Sequence, residues 1–150
     1  MFMPVSIPDE TIKDIVEYLD SGMICFFHIP TGKLEYYPDE LRGHAGFDEE
    51  LWQETIDKVE NNHHEFIRFE AMESHASFGI LEAFVAVIAE ERIRQRFEDA
   101  ISFKNPFQKF KQLLHNYPKL RLQWFDFKNQ RYRKWVYEQL EDYNSMKKLE

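Results

Sequence analysis

The chain has 150 residues, 43% of them hydrophobic and 16% aromatic, which is ample apolar material for the core of one domain. Charged residues make up 31% and the formal net charge is −8, a balance that fits a folded, water-exposed chain and argues against disorder. The longest apolar run, Ile80 to Ala89, is broken by Glu82 and falls short of the roughly eighteen continuous apolar residues that mark a membrane span.

The first residues, Met1-Phe2-Met3-Pro4, place no basic region ahead of an apolar run, so no secretory signal is read and a cytoplasmic location is expected. Residues 8–20 read as a helix. Pro8 suits the first helical position, Asp9 and Glu10 suit the positively polarised first turn, and Ile12, Ile15, Val16 and Leu19 form one apolar face. Gly22 provides the stop. Residues 24–29 and 34–37 read as a β-hairpin around Pro30-Thr31-Gly32-Lys33. Alternation puts Ile24, Phe26 and His28 on one face and Cys25, Phe27 and Ile29 on the other, so the first strand is expected to be central or covered on both sides. Cys25 is the sole cysteine. It reads as a buried small hydrophobe, because a nucleophile would need an activating base and positive surroundings, and only His28 is near.

Residues 38–46 read as a loop. Asp48 is expected to cap a helix reaching about Glu60, with Leu51, Trp52, Ile56 and Val59 on one face. Residues 65–70 alternate as a third strand, which makes the sheet viable where a lone hairpin would be marginal. From Ser74 onward the pattern is helical. Ser74 is expected to cap a helix apolar nearly all round, through Phe78, Ile80, Leu81, Phe84, Val85, Val87 and Ile88, and so buried and central. A charged helical stretch over 90–101, with Ile93, Phe97 and Ile101 at spacings of four, continues that helix or follows a kink. Asn105-Pro106 opens a short helix with Phe107, Phe110, Leu113 and Leu114 inward, and Pro118 opens a long last helix to about Tyr143. The expected fold is α+β: a small three-stranded antiparallel sheet with flanking helices, followed by a C-terminal helical array. Residues 1–150 are read as a single domain, with 1–72 and 73–150 as alternative lobes.

Several pieces, taken in order, resemble a known group. They are the Thr31-Gly32 hairpin turn; Phe66-Ile67-Arg68-Phe69 followed by Ser74-His75; Phe107-Gln108-Lys109-Phe110-Lys111; Tyr117-Pro118; and Trp124-Phe125-Asp126-Phe127 with a closing basic-aromatic helix. Over about residues 8–142 the chain is similar to the bacterial Uncharacterised Protein Family 0158. Members often carry a glycine-rich turn where Lys104-Asn105-Pro106 stands here, and prolines where Glu70-Ala71-Met72-Glu73 stands. The resemblance implies a fold and a bacterial source, and no activity, cofactor or catalytic residue.

The residues themselves offer little established chemistry. His63-His64-Glu65 and His75 form the densest histidine group, but neighbouring side chains diverge and neither His-Glu-x-x-His nor His-x-His occurs, so no metal is expected. Asp48-Glu49-Glu50 reads as a helix start, and Glu91 reads as a surface partner of Arg94. No phosphate loop, dinucleotide fingerprint or nucleophile elbow is present, so no cofactor is expected.

Charge is uneven along the chain. Residues 1–91 carry five basic and twenty acidic side chains, whereas residues 92–134 carry twelve basic and three acidic ones. In the last helix Arg121, Trp124, Lys128, Arg131 and Trp135 follow spacings of 3, 4, 3 and 4, so cations alternate with indoles on one face, while Phe125, Tyr132, Val136 and Tyr143 read as core. Lys104, Lys109, Lys111 and Lys119 lie just upstream. This face could bind anions, with rings stacking on unpaired bases and cations meeting phosphates. Alternatively the two indoles are core, with Arg and Lys stems packed over them. The preferred functional reading is a non-enzymatic interaction module acting through a protein partner or self-association. The alternative is a nucleic-acid-binding protein using the basic-aromatic helix. A hydrolase using His28, His63, His64 or His75 ranks last.

Overall fold

The computed structural model describes residues 2–39 and 49–150. Within them the chain forms α1 (Asp9–Asp20), β1 (Met23–His28), β2 (Leu34–Pro38), α2 (Glu49–Asn61), β3 (Phe66–Phe69), α3 (Ser74–Ala86), α4 (Glu91–Ile101), α5 (Pro106–Leu114) and α6 (Pro118–Lys148). A short 3-10 turn, His63–Glu65, leads into β3. The expected loop over 40–46 and the Asp48 cap lie outside the described residues. The chain divides into two compact units. A sheet unit holds Met1–Ala71 with Tyr132–Glu150, and a helical unit holds Met72–Arg131.

The fold is α+β, as its patterning indicates. In the sheet unit the strand order is β2-β1-β3 and both pairings are antiparallel. Cys25 lies opposite Phe69 and Phe27 opposite Ile67, so these four share one face. That face meets Ile12, Ile15, Val16 and Leu19 of α1 and Val136 and Leu140 of α6 in one cluster. Each fully buried aliphatic side chain there contributes about 1.5–3 kcal/mol. On the other face Ile24, Phe26 and Phe66 pack with Val59 of α2. The central strand is therefore covered on both sides, which explains why four successive residues, Ile24 to Phe27, are all buried. Pro8 stands just before α1 rather than within it. Gly22 and Gly32 take positive φ (88° and 74°) at the two turns flanking β1, a region that costs other residues a Cβ clash. Leu51 does not join the α2 face: it is 72% exposed, and the inward stripe runs through Trp52, Ile56 and Val59.

The helical unit is built on aromatic contacts. Phe97 lies 5.4 Å from Phe110 and 5.7 Å from Tyr117, ring to ring, and Phe84 lies 6.2 Å from Phe110 and 5.4 Å from Phe127. α3 is less buried than its composition suggests. Leu81, Phe84 and Val85 turn inward, but the helix stops at Ala86 and Val87, just past its end, is 67% exposed. Ser74 is the first helical residue and makes no capping hydrogen bond; Glu73 holds the cap position. Asn105 adopts φ 56° immediately before Pro106. Asparagine is the non-glycine residue that best tolerates this conformation, so it performs the backbone turn that a glycine would otherwise make.

α6 changes its apolar stripe at the boundary. Leu120, Trp124 and Phe127 pack in the helical unit; Tyr132, Val136, Leu140 and Tyr143 pack in the sheet unit. The step of five from Phe127 to Tyr132 breaks the 3–4 rhythm of a single face. Phe125, expected in the core with Tyr132 and Val136, is 44% exposed for this reason.

Candidate functional site

The basic-aromatic residues of α6 fall into two surroundings. In the helical unit, Trp124 is half-buried with its ring 4.9 Å from Phe110 and 5.3 Å from Phe84. The guanidinium of Arg131 lies 4.5 Å from the Phe127 ring and that of Arg121 lies 5.5 Å from the Phe125 ring, both within cation–π range. Lys128 is partly buried and engaged in an interaction of its own. In the sheet unit, Trp135 Nε1 donates to the Glu70 carbonyl at 2.7 Å. One turn along, the Gln139 amide accepts from the Glu70 N–H at 2.9 Å and donates to the Glu70 carbonyl at 3.1 Å. α6 thus satisfies the backbone just beyond the end of β3. Both indoles are tied into their own unit.

Elsewhere in the helical unit Arg94 and Arg96 are engaged and several lysines are not, among the described residues. This unit has ten basic and seven acidic residues. Arg94 pairs with Glu98 at 3.6 Å and donates to the Ile88 carbonyl at 3.0 Å. Arg96 donates to the Tyr117 hydroxyl at 2.7 Å. Among the described residues Lys104, Lys109, Lys111 and Lys119 enter no ion pair. An open groove of about 570 Å³ runs between α4 and α5, lined by Arg96, Asp99, Lys109, Gln112 and Asn116 over Leu113. Sequence reading passed over Arg96, Gln112 and Asn116. The signal was present in the spacing: residues 96, 99 and 100 share one face of α4, and 109, 112, 113 and 116 share one face of α5. Large apolar side chains also reach solvent in this unit, with Phe103 74%, Leu122 69% and Phe125 44% exposed.

Of the histidines among the described residues, only His28 is drawn into a polar cluster. Its Nδ1 lies 2.7 Å from Thr31 Oγ1 and its Nε2 lies 2.9 Å from Glu65 Oε1. A hydroxyl, an imidazole and a carboxylate in line have the order of a hydrolytic triad. The surroundings differ from one, because the nearby backbone donors are engaged: Gly32 N–H donates to the His28 carbonyl at 2.7 Å and Lys33 N–H to Thr31 Oγ1 at 3.3 Å. Among the described residues no pair of neighbouring N–H groups is left beside Thr31 to receive an oxyanion. The arrangement braces the hairpin turn against the segment leading into β3. His63 and His64 are exposed, with ring centroids 5.7 Å apart, and His75 is exposed at the start of α3 in the helical unit. No group of three metal-ligating side chains occurs among the described residues.

Cys25 is fully buried, and burial pushes its thiol from 9.0 up to about 12, only partly countered by a backbone hydrogen bond from Phe26. Tyr18 is raised from 10.0 to about 12, first by its hydrogen bond with Tyr36 and then by burial. Both groups keep their protons in the folded state over a range where the unfolded chain loses them. Their stabilisation is complete below about pH 9 and declines as pH rises toward 12. Cys25→Ala is expected to make the alkaline unfolding profile shallower in that window. In the wild type the thiol should resist a disulfide reagent at about pH 8 until denaturant is added, because the thiolate is the reactive form. Rapid labelling of the folded protein would contradict this burial.

The sequence profile of Uncharacterised protein family (UPF0158) matches residues 23–149. The chain belongs to UPF0158. A Pseudomonas aeruginosa relative named UPF0158 protein PA5073 is 27% identical over 84 residues, covering 56% of this chain and 55% of the relative, so the chain matches about half of that protein's length. No solved structure matches. The UPF0158 match takes in the sheet from β1 onward, the whole helical unit and α6 to its end. No helix among the described residues is long and apolar enough to cross a membrane.

Proposed function

We propose that this UPF0158 chain is a non-enzymatic interaction module whose helical unit binds a protein partner. The carrying observation is the exposure of Leu122, Phe125 and Phe103 in a unit whose lysines 104, 109, 111 and 119 enter no ion pair among the described residues. Exposed apolar side chains among free cations fit a partner that is both apolar and acidic. Trp124 and Trp135 serve their own units, which also favours this reading. Substituting aspartate at both Leu122 and Phe125 is expected to abolish retention of a partner by an immobilised chain and to leave the circular dichroism spectrum unchanged. Retention of the same partner by the double variant would remove this surface from the proposal. A wild-type chain that captures nothing and sediments as a monomer would sink the reading.

A second reading, nucleic-acid binding through Arg121, Trp124, Lys128 and Arg131 with Trp135, is favoured by the two arginines stacked on exposed or half-buried rings. Labelled single-stranded RNA and duplex DNA, tested by fluorescence polarisation, should then bind at physiological salt and weaken with Arg131→Glu. Absence of binding at low salt, where phosphate attraction is strongest, would dismiss it.

A further inference from the structure

We infer that the groove between α4 and α5 seats an acidic peptide segment, with carboxylates on Arg96 and Lys109 at its two ends. The inference rests on the proposed interaction function and names the chemistry of the partner. The two helices are joined by the four residues 102–105 and run antiparallel, because α5 starts just beyond the end of α4 and its far end, at Tyr117, returns to bond Arg96 midway along α4. Arg96 therefore lies at the Asn116 end of the groove and Lys109 at the other. Lys109 and Leu114, the last residue of α5, are separated by about 7.5 Å along the helix at 1.5 Å per residue, and Asn116 lies two residues beyond. Asp99 and Gln112 lie between these ends.

Three features select the occupant. Arg96 is held by a neutral hydroxyl rather than a carboxylate, so its orientation is fixed while its charge and remaining donors stay available. Lys109 enters no ion pair among the described residues, so each end of the groove offers an uncompensated cation. Carboxylates at positions i and i+2, or i and i+4, of an extended peptide share one side and lie about 7 or 13 Å apart, which brackets the span. The side-chain amides of Gln112 and Asn116 can each donate and accept, which is what a peptide unit requires. Asp99 can accept a peptide N–H. A phosphodiester backbone offers acceptors and charge but no N–H for Asp99 to accept, whereas a peptide with spaced carboxylates offers one at each unit.

The test is fluorescence anisotropy of a labelled Glu-Ser-Glu-Ser-Glu peptide, which carries carboxylates at both spacings, with the full chain at low salt, followed by a salt titration. Saturable binding that weakens with salt is expected. Arg96→Ala and Lys109→Ala should each weaken it about tenfold, the size of a lost charge-assisted contact. Tyr117→Phe, which frees Arg96 without removing it, should weaken binding by a smaller factor. Lys13→Ala, on an exposed face of α1 in the sheet unit, should change nothing. Circular dichroism confirms that each variant is folded, and the exposed Lys109 site keeps the test open if Arg96→Ala is not. No binding, equal losses from Lys109→Ala and Lys13→Ala, or tighter binding of labelled hexauridylate through the same residues would each overturn the inference. If partner capture through Leu122 and Phe125 persists in that case, the groove assignment fails while the interaction function stands.

Discussion

Phe97→Ala should destabilise the helical unit by about 3–5 kcal/mol, the range for removing a fully buried ring. Phe97 has no exposed surface and its ring is in contact with Phe110 and Tyr117, so truncation removes transfer energy, leaves a cavity and cancels two ring pairs together. Each such pair is worth about 0.5–1.5 kcal/mol beyond its buried area. Urea unfolding followed by circular dichroism, with Phe97→Leu as the milder companion, measures the effect. A loss below about 1 kcal/mol would mean that the site collapses freely and the unit is not packed around this ring.

Val136→Asp should have a comparable or larger effect on the sheet unit. Val136 is fully buried among Ile12, Ile15, Phe27 and Phe69. A carboxylate there loses its water and gains no partner, which costs several kcal/mol and raises its pKa in the folded state. The sign of the pH dependence separates this from simple loss of packing. The folded state would hold the aspartyl proton more tightly than the unfolded chain, so the defect grows as pH rises through about 3.9 and shrinks in acid. Val136→Ala carries the packing loss alone and should show no such trend. Equal deficits for the two variants at all pH values would show that residue 136 reaches water.

What the sequence disclosed and what it withheld follow from the range of the forces involved. The α1 stripe, the hairpin and the doubly covered β1 are legible because each is written in neighbouring residues at periods of 3.6 or 2. The return of α6 to the sheet is not. Tyr132, Val136 and Tyr143 show an apolar face but do not say whose core it meets, and Phe125 sits on the same stripe while facing solvent. His28 read as a histidine in an apolar strand; its partner Glu65 lies 37 positions away, and no local pattern records that pairing. Trp135 showed only as an indole on a basic face, since its partner is a backbone carbonyl, which leaves no mark on side-chain patterning. The α4–α5 groove lay between these extremes. Its spacing was visible, but its significance depended on the two helices running antiparallel.

The sheet unit is assembled from two distant stretches of chain, whereas the helical unit is one continuous stretch. On a ribosome the order of emergence therefore matters. The strands appear first, with Cys25, Phe27, Ile67 and Phe69 lacking the cover that Val136 and Leu140 provide, and they wait in that state while the entire helical unit is made. Val5 is finally tied to Asn144 by two hydrogen bonds, from its N–H to Oδ1 at 2.9 Å and from Nδ2 to its carbonyl at 3.0 Å. Unfinished apolar sheet is the kind of nascent surface that recruits chaperones or aggregates. A premature stop shortly before Tyr132 would thus spare the segment nearest to it and cripple the segment translated first.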